Sequence, residues 1–136
     1  MKKLTPVLIV EEIEPCLPFW TERLGFEKVA EVPEGERLGF VILVKGKVEI
    51  MYQTRTSVAN DIGIDKGSTL QSFSGAINPG RDRIGLYIDV ENLDAIMEAL
   101  KGVDVILSER RTFYGAREFG VREPGGTVVT FAEFAN

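Results

Sequence analysis

Few residues in this chain can carry chemistry, and what is missing excludes whole reaction classes. There is no histidine, which removes the commonest metal ligand, the commonest general base and every His-dependent triad. The single cysteine, Cys16, excludes an intrachain disulfide. It falls in a helical pattern and reads as a buried, inert thiol. Carboxylates, arginines and aromatic side chains remain. In VEIMYQ (48–53), Met51 is in phase with Glu49 and forms either an adaptable cavity wall or ordinary packing. In RIGLYIDV (83–90), Tyr87 alternates in phase with Arg83 and Gly85, so it shares their sheet face. It either stacks on an aromatic ligand or fills core. Phe113 and Tyr114 precede Gly115 near a strand start, where they line a cavity mouth or cap the core. Phe73 lies where core packing explains an aromatic residue less easily, and closing over a ligand is its functional reading. Arg110, Arg111 and Arg117 with Glu109 and Glu118 read as a solvated strand surface, where ion pairs are worth little. NPGRDR (78–83) is a turn, because it has neither GxxxxGK[ST] nor GxGxxG.

The elements that must position these residues repeat. LTPVLIV (4–10) is a buried strand, closed by Glu11 and Glu12. Leu17, Trp20 and Leu24 then sit at helical spacing, which predicts a helix over 14–24. Pro15 suits its first turn, Pro18 makes that turn irregular, and Gly25 stops it. Strands follow over 26–32, 38–44 and 48–52, with a turn at 33–35 and a tight hairpin at 45–47. Residues 53–81 break the rhythm with glycine, serine and threonine. They read as a linker that borders a site, and a short helix within them is compatible with the pattern. The rhythm restarts with a strand at 84–90, an N-cap at Asn92, a helix through Leu93, Ile96, Met97 and Leu100, and a stop at Gly102. Strands over 103–109, 114–121 and 128–134 close the chain. The expectation is one α+β domain over 1–136. Two tandem βαβββ modules, 1–53 and 82–136, flank a linker or lid at 54–81. The modules form a curved mixed β-sheet with helices outside and a concave cavity, a natural small-molecule pocket.

Composition narrows the class. The 136 residues carry 16 Lys+Arg against 21 Asp+Glu, and the resulting charge of −5 argues against a nucleic-acid partner. The apolar run Val7–Val10 is too short for a secretory core, and no stretch approaches the roughly 20 apolar residues that cross a bilayer. A soluble, cytoplasmic protein with no membrane partner is expected.

Two segments resemble the glyoxalase / bleomycin-resistance / extradiol-dioxygenase superfamily, also called vicinal oxygen chelate proteins. VEEIEPCLPFWTERLGF (10–26) resembles the opening strand, helix and "FY…LGF" stretch of that family, with Trp20 where Tyr is frequent. YGAREFGVREPGGTVVTFAEF (114–134) resembles its closing "G.REF.V.DP.G..V.F.E" hairpin. The resemblance implies paired βαβββ modules. It also implies four metal-ligand positions, which align with Thr5, Glu49, Arg83 and Thr130. Only Glu49 is a competent ligand, and Arg83 puts a positive charge where a cation belongs. No metal and no cofactor are therefore expected. An ion pair between Glu49 and Arg83 is the structural reading, and a ligand anion held by Arg83 is the functional one. Thr5, Glu49, Met51, Phe73, Arg83, Tyr87, Tyr114 and Thr130 form the expected ligand site. The function implied is metal-free binding of an aromatic or amphipathic small molecule, in a homodimer. The alternatives are a lyase, an isomerase or a metal-dependent glyoxalase or dioxygenase using Glu49, and a scaffold subunit without a ligand.

Overall fold

A computed structural model describes residues 1–61 and 84–135. The chain divides into two compact units, Met1–Arg81 and Asp82–Asn136. Unit one contains β1 (Val7–Val10), β2 (Glu27–Glu34), β3 (Arg37–Lys45), β4 (Val48–Thr54) and α1 (Arg55–Asp61). Its sheet runs β1-β4-β3-β2, with β1 parallel to β4 and the other neighbours antiparallel. Unit two contains β5 (Leu86–Asp89), α2 (Leu93–Ala99), β6 (Asp104–Arg111), β7 (Ala116–Arg122) and β8 (Val128–Phe134). Its sheet repeats the plan as β5-β8-β7-β6, with β5 parallel to β8. This is an α+β fold of two four-stranded mixed sheets.

Alternation explains the strands. On β3 and β4, Val41, Leu43, Ile50 and Tyr52 are buried on one face, while Ile42, Val44, Glu49 and Met51 form the other. Ile13, Cys16, Phe19, Trp20 and Leu24 from the preceding helical segment complete the buried set. The Trp20 indole N–H donates to the Tyr52 hydroxyl at 2.8 Å, which ties helix to sheet. Phe19 and Phe26 meet the Trp20 ring edge-on at 4.9 and 5.0 Å.

That segment departs from the expected regular helix. Glu14–Cys16 is a 3-10 turn and Phe19–Arg23 is a π-helical turn. Pro18 has no N–H to return to Glu14, and the Glu14 carbonyl instead accepts from Leu17, three residues on. The wider π turn then buries Phe19 and Trp20 side by side. The chain leaves at Gly25 with φ +76°, a conformation that costs glycine little.

Other boundaries differ too: β1 begins at Val7 rather than at residue 4, with Leu4 and Val7 exposed, β6 runs on to Arg111 and β7 begins at Ala116. Phe26 precedes β2 and is buried. Pro33 lies inside β2, where its missing N–H is tolerated because β2 is the edge of its sheet; the turn falls one pair later, at Gly35. The expected loop start is ordered: β4 runs on to Thr54, whose Oγ1 accepts from the Ser57 N–H at 3.1 Å and starts α1. Val58 and Ala59 bury the inner side of that helix. The remainder of the expected linker lies outside the described residues.

In unit two, Asn92 caps α2 as its sequence position implies, its Oδ1 accepting from the Ala95 N–H at 3.0 Å. Leu93, Leu100, Phe119, Val121, Val129 and Phe131 form the core. Arg117 on β7 and Glu133 on β8 reach α2, through Asp94 at 2.9 Å and the Leu93 N–H at 3.1 Å. Odd-numbered residues of β7 and β8 therefore face the helix, and Glu118, Gly120, Thr130 and Ala132 face the other way. No described helix is long and apolar enough to cross a membrane.

Candidate functional site

The face of the unit-two sheet turned away from α2 carries an arrangement built on small residues. On β7, Glu118 lies between Ala116 and Gly120, and the facing β8 positions on that side are Ala132 and Thr130. A Cβ at Gly120 would meet Leu107 Cβ at 3.0 Å and Thr130 Oγ1 at 3.4 Å, so glycine is what fits there. The ladder sets Tyr87 of β5 beside Thr130. From there the Tyr87 side chain spans β8 to reach β7, two strand spacings or about 10 Å away. Its hydroxyl donates to Glu118 Oε2 at 2.5 Å. Tyr114, in the turn between β6 and β7, donates to the same oxygen at 2.5 Å. Arg110 of β6 donates to Glu118 Oε1 through Nε at 3.1 Å, and its Nη2 forms an ion pair with the same oxygen at 3.0 Å.

Glu118 is only 1 % exposed. The sequence reading of a solvated surface is corrected here: Glu118 is on a central strand between small neighbours, and both its carboxylate oxygens are engaged from inside the protein. Hydrogen bonds from Tyr114 and Tyr87, with the Arg110 guanidinium, hold its carboxyl below the ordinary carboxylate range against the opposing effect of burial. Desolvation and the bond to Glu118 push the Tyr87 phenol well above its ordinary value, so it stays protonated. The solvated-surface expectation for Arg117 is corrected too. Arg117 bonds Asp94, Glu109 and Glu133 in a network that joins α2, β6 and β8.

The rings themselves stay accessible. Tyr87 and Tyr114 are 50 % and 47 % exposed although both hydroxyls are fixed. Phe113 packs edge-on to Tyr114 at 5.1 Å, and Phe134 lies 6.3 Å from it. Of the two sequence readings for Tyr87 and Tyr114, neither ring serves as core filling.

Unit one holds a second group. Thr5 Oγ1 lies 3.4 Å from Glu49 Oε1, so these two positions do meet. Among the described residues Lys3 pairs with Glu49, its ammonium 2.6 Å from Oε2. Sequence reasoning missed it because the amino-terminal segment shows no period that would place a side chain. Met51 follows Glu49 on the same face. Arg83 and Phe73 lie outside the described residues. A cleft of about 160 Å³ lies elsewhere in unit one, lined by Glu11, Glu12, Glu14, Glu34 and Arg37 among others, and none of the expected site residues that the structure describes borders it.

The described metal positions implied by the resemblance carry side chains that suit a metal poorly. Thr5 and Thr130 are hydroxyls, Glu49 is already paired with Lys3, and the fourth position, Arg83, lies outside the described residues. Among the described residues no three His, Cys, Asp or Glu side chains are grouped to hold an ion.

Comparison with known proteins agrees with the two-unit plan. Similar solved structures include a protein of unknown function from Agrobacterium tumefaciens str. C58, with TM-score 0.72, 20 % identity, and 99 % of this chain and 95 % of that one covered. A bleomycin resistance determinant encoded on the transposon Tn5 has TM-score 0.69 and 16 % identity over 100 % of both chains. TioX from Micromonospora sp. ML1 has TM-score 0.69 and 13 % identity over 99 % of this chain and 100 % of that one. At these identities the likeness is one of fold. Comparison with curated proteins gave no significant match. The model of one family matches residues 4–131, and the chain belongs to that family, the glyoxalase/bleomycin resistance protein/dioxygenase superfamily.

Proposed function

We propose that the protein binds an aromatic or amphipathic small molecule, without a metal cofactor, on the open face of the unit-two sheet. The observation that carries this reading is the pair of half-exposed tyrosine rings whose hydroxyls are locked on a buried carboxylate. A ring fixed in advance loses little side-chain entropy when a ligand stacks on it. Thr130 beside Tyr87 adds a hydroxyl to the site. The fold shared with a bleomycin resistance determinant is compatible with sequestration of a small molecule. An enzyme using Glu49 as a base has less support, because both carboxylate oxygens are engaged by Lys3 and Thr5.

A thermal-shift panel of aromatic and amphipathic compounds, followed by calorimetry of the hits, tests the reading. At least one compound should bind saturably, and Tyr114→Ala should weaken it about tenfold, the typical loss when a stacking ring is removed. A panel without a saturable hit, or hits indifferent to Tyr114→Ala, sinks the proposal.

A homodimer is proposed as well. Val29 and Val32 on β2 and Val105 and Ile106 on β6 are each about half exposed on sheet edges. Light scattering at micromolar concentration should return twice the 15.1 kDa chain mass. The single-chain mass would refute pairing.

A further inference from the structure

We infer that the aromatic site of unit two selects organic cations: ligands with a planar or apolar body that carry a positive charge. This rests on the aromatic-site reading above and comes from where the protons are committed. A phenol has one proton to donate. Tyr87 and Tyr114 both give theirs to Glu118 Oε2, so their oxygens lie no more than about 5 Å apart and can offer a ligand only lone pairs. The faces of the two half-exposed rings carry the negative part of the aromatic quadrupole. Acceptors and ring faces therefore present the same sign, and a positive group complements both.

The surrounding charges agree. Arg110 directs Nε and Nη2 at Glu118 Oε1, so this guanidinium and carboxylate offset one another. Asp89 is exposed on the same face of β5, two residues beyond Tyr87 and about 7 Å along the strand, and adds a negative charge at the site. Glu118 does not touch the ligand in this arrangement. It is a positioning residue that fixes both rings and turns both phenolic protons inward.

Two fluorescent probes with one ring system and opposite charge separate the possibilities: N-methylacridinium and acridine-9-carboxylate, titrated by anisotropy into the full chain. The cation should bind about tenfold more tightly than the anion, the scale set by one or two cation–π contacts. Glu118→Gln should bring that ratio toward one. Its amide N–H₂ donates to a phenol, which must then turn its own proton outward. Arg110→Met removes a half-exposed positive charge and should raise the ratio, which keeps the inference testable if Glu118→Gln does not fold. Equal binding of both probes, preference for the anion, or a ratio unmoved by either variant overturns cation selection and leaves the aromatic site standing. If neither probe binds saturably, the aromatic-site reading falls, and cation selection with it.

Discussion

Trp20→Ala should destabilise the protein by about 3–5 kcal/mol, the usual range for removing a fully buried aromatic side chain. For a chain of this size that corresponds to a fall in Tm of roughly 10–20 °C. The indole is 0 % exposed, meets Phe19 and Phe26 edge-on, and donates its N–H to Tyr52. Its removal empties the junction between the helical segment and β4. The surrounding backbone has little freedom to collapse into the space, because the segment is pinned by Pro15 and Pro18 at one end and leaves through a left-handed Gly25 at the other. Tyr52→Phe isolates the polar part of the effect. The ring stays and the indole N–H loses its acceptor, which should cost about 1–3 kcal/mol. Trp20 is the only tryptophan, so its fluorescence reports unfolding of unit one in the Tyr52→Phe protein without a second probe. If either variant unfolds with the wild-type midpoint, the Trp20–Tyr52 contact does not stabilise the fold.

The same residues show how far the sequence could be read. Strand alternation and the Asn92 cap are local signals, and the strands and α2 lie within a few residues of where those signals put them. The helix over 14–24 was located correctly but not in type. Periodicity places Trp20 on an inner face, whereas the choice among 3-10, α and π turns depends on which carbonyl Pro18 leaves without a donor. The candidate site was legible one residue at a time. Tyr87, Tyr114 and Thr130 stood out by type and phase, and the ladder brings Tyr87 beside Thr130. The carboxylate that joins the tyrosines did not stand out. Glu118 sits in a run of alternating charges that looks solvated, and its burial depends on Tyr87 crossing a whole strand above Ala132 and Gly120. Small residues on both sides of a charged one, on a strand flanked by two others, were the available signal. The Lys3–Glu49 pair left no comparable trace, because its cation belongs to a segment before the first strand.

Glu118→Gln should cost about 1.5–3 kcal/mol at neutral pH, the range for hydrogen bonds to a charged group, and the loss should shrink in acid. In the folded protein Tyr114, Tyr87 and Arg110 favour the ionised carboxylate, so its pKa lies below that of the unfolded chain. The folded state thus releases the Glu118 proton more readily than the unfolded state does. The stabilisation is complete above the unfolded glutamate value of about 4.3 and disappears as pH falls through the lower folded value. Tyr87 does not change this window, because its phenol is pushed upward and stays protonated throughout. Urea midpoints taken from pH 7 down to pH 3 should therefore decline in the wild type below about pH 4. The Glu118→Gln protein should start lower and follow a flatter curve, and the two curves should converge at the acid end. Parallel curves would mean that Glu118 carries no special acid sensitivity. A variant more stable than wild type at pH 7 would mean that desolvation of the carboxylate outweighs its hydrogen bonds and ion pair, and that the tyrosine rings are held in place by packing instead.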